Sequence, residues 1–381
     1  MAKTKKEKIG SFKDNNMDYT LLIVILLLLS LGLIMVLSAS SPTAISEGSS
    51  SYKYFVKQGL FAIVGLFAMY VISKIDYRIY KKFYKLGYIV SIILLALVLV
   101  IGKELNGATR WIYIGPLSLQ PSEIVKFLMI LLYAGVLSKD RDELGKFGKG
   151  WCKHLLYLVP ILVLLLLEPH LSASLVILGI CVIMMIIAGC KLWQIVIPGV
   201  GLGLPALIGL IILEPYRLSR VTTFLDPWSD ELGKGWQVIQ SLYAIGSGGL
   251  FGAGLGQSKQ KYLYLPEPQN DFIFSVLAEE LGFIGCVAVI VLFAILIWRG
   301  ILIAMKAPDM FGGLIATGIT SLIAIQVIIN IAVVTSSMPA TGMPLPFFSY
   351  GGTALFILLC EMRSITKLIK GREHQRIKLK Y

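Results

Sequence analysis

The sequence predicts an all-α polytopic integral membrane protein with about ten transmembrane helices. One large extracellular loop is expected between helices 7 and 8. Three observations carry this reading. Hydrophobic residues make up 56% of the 381 residues and charged residues 15%, against about 25% charged in soluble domains. Apolar runs long enough to cross the hydrocarbon core recur along the whole chain. The 35 Lys and Arg residues gather mostly in short loops between those runs, as they do on the cytoplasmic side of a membrane protein.

Taken in order, the chain divides into a basic cytoplasmic arm (1–18), a membrane domain (19–368) and a basic cytoplasmic tail (369–381). The first apolar run, Tyr19–Ser38, is long for a signal-peptide core and is expected to remain as a helix. The spans are expected at roughly 19–39, 55–73, 86–102, 122–138, 154–168, 172–190, 193–213, 271–298, 311–334 and 346–368. Lysine- and arginine-rich loops at 74–85 and 139–153, with the two termini, place those segments in the cytoplasm. Segments 103–121 and 214–270 then lie outside. They are too long for simple turns, and long ordered loops are usually functional. The net charge of +13 belongs to these topological loops and not to a nucleic-acid surface. The five cysteines fall in spans or beside basic loops, so no disulfide is expected.

Chemistry-bearing residues cluster at the outer ends of the spans. In "GATRWIYIGPLSLQPSEIVKF" Arg110 is in the outer loop, and Pro121 can open a helix. Glu123 and Lys126 stand three apart on one helix face, within ion-pair reach. They either order the helix or line a polar cavity. In "EPHLSAS", His170 has no second histidine outside to share a metal, so it reads as a turn residue. Arg217 and Arg220, again three apart, together with Lys259 and Lys261, could receive a diphosphate or contact lipid phosphate. The glycines between 246 and 256 lack a preceding strand and a terminal G-K-[ST], so they suit tight turns and not a nucleotide. Asp271 opens the eighth span, either as a helix cap or as a general base at a half-buried helix mouth. Glu279 and Glu280 lie about two turns further on, and one must face the protein interior. Ser349, in "PFFSYGGT", is small and polar at the outer mouth of the last span.

Together the stretches "GATRWIYIGPLSLQPSEIVK", "GWQVIQSLYAIGSGGLFGAGLGQSKQKYLYLPEPQNDFIFSVLAEELGFIG" and "MPATGMPLPFFSYGGTALF" resemble the SEDS family. These are the FtsW, RodA and SpoVE proteins of bacterial shape, elongation, division and sporulation. The resemblance covers about 17–370, and "PEPQNDFIFSVLAEELG" is nearer FtsW and SpoVE in wording. It implies a peptidoglycan glycosyltransferase that polymerises lipid II, the undecaprenyl-diphosphate-linked disaccharide pentapeptide, on the outer face of the cytoplasmic membrane. It also implies a class B penicillin-binding protein as transpeptidase partner, beside other divisome or elongasome membrane proteins. Asp271 matches the family's essential aspartate, Glu123 and Lys126 its intramembrane ion pair, and Arg110 the arginine of its first outer motif. His170 stands where many members carry an aspartate, and Ser336 and Ser337 where a glycine and an aliphatic residue are commoner. On this reading Asp271 is the base, and Arg217, Arg220, Lys259, Lys261, Lys126 or a divalent cation such as Mg²⁺ stabilises the departing diphosphate. No organic cofactor and no resident metal ligand set is expected. The alternatives are a lipid II flippase and a non-catalytic scaffold for the transpeptidase.

Overall fold

The computed structural model describes residues 18–105, 108–115, 117–262 and 264–366. The basic arm up to residue 17 and the 369–381 tail lie outside the described residues. Spans one to six are α1 (Tyr19–Ser46), α2 (Lys53–Ile72), α3 (Tyr80–Ile101), α4 (Pro121–Lys139), α5 (Lys153–Leu167) and α6 (Leu171–Ala188). The seventh is made of two pieces, α7 (Leu192–Pro198) and α8 (Leu204–Ile212), joined through a π-turn at Gly199–Gly203. Two amphipathic helices follow, α9 (Pro215–Leu225) and α10 (Trp236–Ser247). The last three spans are α11 (Ile273–Lys306), α12 (Met310–Val334) and α13 (Gly352–Thr366). Among the described residues, nine helical segments have the length and mean hydropathy to cross a membrane, and α13 is the shorter tenth. The protein is a multi-pass membrane protein.

Local chemistry sets several of these boundaries. Asp18 accepts the amide of Leu21 at 3.0 Å and caps α1, and Asp309 caps α12 through Gly312 at 2.7 Å. Pro121 opens α4, where its missing N–H costs nothing. α12 and α4 form the buried centre, with α1, α6, α11 and α13 around them. α7 and α8 differ: no residue in their most apolar window is buried.

Three features depart from the sequence expectation. The outer segment 103–121 is not a bare loop. It holds an antiparallel sheet, β1 (Lys103–Leu105), β2 (Ala108–Ile114) and β3 (Leu117–Leu119), with β2 in the middle. The last span begins at Gly352 and not at 346, because Pro344, Pro346 and a positive φ at Phe347 keep the preceding loop non-helical. α11 is broken at Gly282, where φ is +67° and ψ is −168°.

The break is closed by the glycine-rich turn after α10. Ala253 and Gly254 donate their amides to the carbonyls of Glu279 and Glu280, at 2.9 and 3.0 Å. The amides of Phe283 and Ile284 in turn donate to the carbonyls of Gly249 and Leu250, at 2.9 and 3.2 Å. The turn thus serves as C-cap to one half of α11 and N-cap to the other, satisfying groups that a broken helix would leave unpaired. Only glycine fits at Gly252. Its φ is +81°, and a Cβ would stand 2.2 Å from the Glu280 carbonyl oxygen.

Candidate active site

Asp271 lies one residue before the N-cap of α11, which is Phe272, and its side chain caps nothing. Its main chain is pinned instead. Asn330 of α12 donates to the Asp271 carbonyl and to the Met343 carbonyl, each at 2.8 Å. Next door, Ser349 donates to the Asn270 carbonyl at 2.7 Å and accepts the Leu345 amide at 2.7 Å. Gln58 of α2 closes the arrangement by donating to the Ser349 carbonyl at 3.3 Å and accepting from Gly351 at 3.1 Å. Gly342, at φ +68°, passes so close that a Cβ there would sit 3.3 Å from Asp271 Oδ2. The base candidate is therefore held by its backbone, while its partly open carboxyl accepts no hydrogen bond among the described residues.

Two guanidinium groups face that carboxyl. Arg220 of α9 donates to the Ala340 carbonyl at 2.7 Å and to the Tyr216 hydroxyl, whose ring it covers at 4.7 Å. Arg110 of β2 donates to the Pro169 carbonyl in the turn between α5 and α6. Burial, then the Glu267 carboxylate, raises the Asp271 pKa to about 6, and Arg220 and Arg110 oppose that rise. A carboxyl in this range is ionised at neutral pH yet basic enough to take a proton.

Behind Arg110 the charges continue. Glu168 is buried and pushed to about 8 by that burial, with Arg110 pulling the other way. His170 is held well below its usual value, first by burial, then by Arg110 and Lys126. Lys126 pairs with Glu123 at 2.7 Å and is 2% exposed.

Asp271, Arg110 and Arg220 thus gather at one place, with Ser349 supporting the Asp271 segment and the Glu123–Lys126 pair beyond His170. The remaining candidates are elsewhere. Arg217 donates to the Leu210 carbonyl of α8 at 3.1 Å. Lys261 does not offer a free ammonium to a diphosphate, because it is 3% exposed and bound to Glu280 at 2.8 Å and Ser38 at 2.9 Å. Lys259 is exposed, with its amide on Glu279 at 2.7 Å. Both glutamates of the opening half of α11 are buried. Glu279 also accepts the Ser258 hydroxyl at 2.5 Å and the Gln260 amide at 3.3 Å, and Glu280 accepts Ser38 at 2.6 Å. Their carboxylates fix the glycine-rich turn and are not directed at Asp271.

Sequence reasoning missed Asn330, Gln58 and Glu361. The last is 2% exposed on α13, in the field of Lys126 and Glu123. A charge inside an apolar run was its available signal. Among the described residues no three His, Cys, Asp or Glu side chains group as a metal site.

The fold and the site define a polytopic membrane protein with a carboxyl faced by two arginines at one end of its helix bundle. The chain belongs to the FtsW/RodA/SpoVE family of cell cycle proteins, whose model matches residues 19–374. Stage V sporulation protein E of Bacillus subtilis is 46% identical over 349 residues, 91% of this chain and 95% of that protein. A probable peptidoglycan glycosyltransferase FtsW of Trichlorobacter lovleyi is 42% identical over 363 residues, 94% of this chain and 95% of that one. Of solved structures, a chain from a peptidoglycan synthase complex that coordinates polymerization and crosslinking matches with a TM-score of 0.77 at 29% identity, over 93% of this chain and 98% of that one. The rod shape determining protein RodA of Thermus thermophilus matches with a TM-score of 0.70 at 27% identity, over 93% and 97%.

Proposed function

We propose that this chain is an inverting peptidoglycan glycosyltransferase that polymerises lipid II, with Asp271 as its general base. The observation that carries the assignment is the unbonded carboxyl of Asp271, raised to about 6 and faced by two arginines. Relatives named as peptidoglycan glycosyltransferases support the reaction class.

In this reaction the 4-hydroxyl of one substrate's GlcNAc attacks C1 of MurNAc on the other. Asp271 takes the hydroxyl proton as the new C–O bond forms. The bond from C1 to the diphosphate breaks, and its electron pair leaves with the polyprenyl diphosphate. The α-linkage becomes β, and Asp271 returns its proton to water. Arg110 and Arg220 are placed to balance the charge that develops on the leaving oxygen, which is the arrangement that lowers such a barrier most. A divalent cation such as Mg²⁺ would add charge neutralisation at the same diphosphate. The residues fit a cation shared between one or two carboxylates, Glu267 among them, and substrate phosphates, not a cation in an all-protein cage.

The Asp271 end then faces outward and both termini face the cytoplasm, since the basic 74–85 and 139–153 loops lie at the other end. The α7–α8 segment has an apolar window with no buried residue and is free to face lipid. A class B penicillin-binding protein is the partner that would crosslink the strands, in division or sporulation. The test is polymerisation of purified lipid II in detergent by the purified full chain, with and without that partner. Muramidase-sensitive glycan strands are expected. A flippase or a scaffold would form none under either condition.

A further inference from the structure

Four buried polar atoms on the Arg110 side of the site have no partner among the described residues: Glu168 Oε1, His170 Nδ1, Arg110 Nε and Thr341 Oγ1. Glu168 is 1% exposed and His170 8%. Buried polar atoms are paired in about nine cases of ten, so four orphans in one place call for an explanation. They come from three elements that meet there. Arg110 of β2 is tied to the 168–170 turn through the Pro169 carbonyl. Ser172 of α6 ties that turn to the last loop by donating to the Thr341 carbonyl. The next residue of that loop, Gly342, abuts Asp271.

We propose that Glu168, His170 and Thr341 form a hydrogen-bonding subsite for an N-acetylated sugar of the substrate, seated beside Asp271. The proposal rests on the glycosyltransferase reading above. A phosphate does not fit these atoms. At neutral pH a diphosphate offers acceptors only, so it could take up the donors here but would leave an acceptor oxygen of neutral Glu168 and the unprotonated ring nitrogen of neutral His170 unmatched. Sugar hydroxyls and an acetamido group carry donors and acceptors together, which is what a mixed set of orphans requires. The phosphate is left to the arginines.

The subsite also has a protonation state. With its carboxyl raised to about 8, Glu168 is neutral at pH 7 and can both donate and accept. Above that pH it ionises, loses its donor and places a charge in the sugar's seat. Arg110 on β2 faces Glu168; His170 on the same turn lies in the field of Arg110 and of Lys126 on α4; and Arg110 is in turn faced by Arg220 on α9 and by Asp271 before α11. His170 is held neutral and Asp271 titrates near 6, so neither changes charge near pH 8. A fall in rate through about pH 8 belongs to Glu168 where Glu168→Gln removes it.

The test is the pH dependence and the KM for lipid II of the purified full chain. The parent should lose activity above about pH 8. Glu168→Gln keeps a donor and an acceptor in the same shape. It should lose the alkaline limb whatever its plateau rate, while the acid limb from Asp271 stays. Glu168→Ala and His170→Ala should raise KM about tenfold each, with kcat changed less. An alkaline limb that persists in Glu168→Gln, or an unchanged KM in both alanine variants, overturns the subsite. Lipid II affinity measured directly on an Asp271→Asn background separates the two readings. If Asp271→Asn still turns over, the base assignment falls, and the subsite is judged by whether Glu168→Ala weakens that affinity.

Discussion

Replacing Asp271 by Asn removes the proton acceptor and keeps the shape. The structure says the fold should not notice. The segment is pinned through the carbonyls of Asn270 and Asp271, which the substitution leaves in place, and the side chain caps no helix. The sign of the stability effect follows from the raised carboxyl. Its contribution is fully present below the unfolded value of 3.8 and is lost as pH rises through about 6. At pH 7 the ionised parent carries that loss, at most about 3 kcal/mol for a rise of this size. A neutral Asn does not carry it, so the melt of Asp271→Asn at pH 7 should be equal or higher. The rate should fall about 10²–10⁴-fold, the usual loss with a general base. In the parent the rate should rise about tenfold between pH 4 and 5, then level off above about 6, as the carboxyl ionises. In Asp271→Asn that limb should be absent. The assay is strand formation from purified lipid II, resolved by gel electrophoresis across pH, beside a thermal melt. A variant that polymerises within threefold of the parent, or a parent with no limb near 6, refutes the assignment.

The other expectations concern stability and topology. Glu123→Ala and Lys126→Ala should each cost several kcal/mol or the corresponding activity, because each leaves the other charge buried and unpaired. The double variant should cost less than their sum, and strict additivity in melts and rates would mean the pair does not interact. Glu280→Ala strands the Lys261 ammonium in a 3%-exposed site and should cost about 3–5 kcal/mol. Glu280→Leu with Lys261→Met should recover part of that, and a melt as low as that of the single variant would count against the clamp. For topology, a cysteine at exposed Gln257 should react with an impermeant reagent in intact cells, whereas one at buried Ser258 should not. Labelling of Gln257→Cys only after permeabilisation would reverse the orientation.

The spans were legible because the bilayer imposes length and hydropathy on a segment taken alone. The β-sheet was not, although "ATRWIYI" is rich in β-branched and aromatic residues. Its partner strands have three residues each, too short for any periodicity to show. Arg217 and Arg220 illustrate a subtler limit. Spacing puts them on one helix face, but their acceptors lie on α8 and on the last loop, so they part company. Lys259 and Lys261 are two residues apart in a loop of no regular period, and nothing local says which is buried. Asp271 itself was legible as a charge at the seam of an apolar run. That its side chain caps no helix and faces two arginines was not, because Asn330, Arg110 and Arg220 lie far away in sequence.

Glu279 and Glu280 were legible as a cost and not as a function. Two carboxylates at the end of half a helix are unfavourable against its dipole. They persist because the chain breaks there. A helix interrupted at Gly282 must find partners for the carbonyls on one side and the amides on the other, and the turn from Gly249 to Gly254 supplies both. That turn has little packing of its own: Leu250 and Phe251 are mostly exposed. The two carboxylates provide the missing hold through Ser258, Lys259, Gln260, Lys261 and Ser38. The same half-helix carries Asp271 just before its first turn. Fixing its far end to α1 and to the turn therefore limits how Asp271 can swing toward or away from Arg110 and Arg220. The expensive charges sit on the half-helix from Ile273 to Leu281, and Asp271 stands two residues before it, so the acidic pair steadies the segment that carries Asp271 without touching its carboxyl.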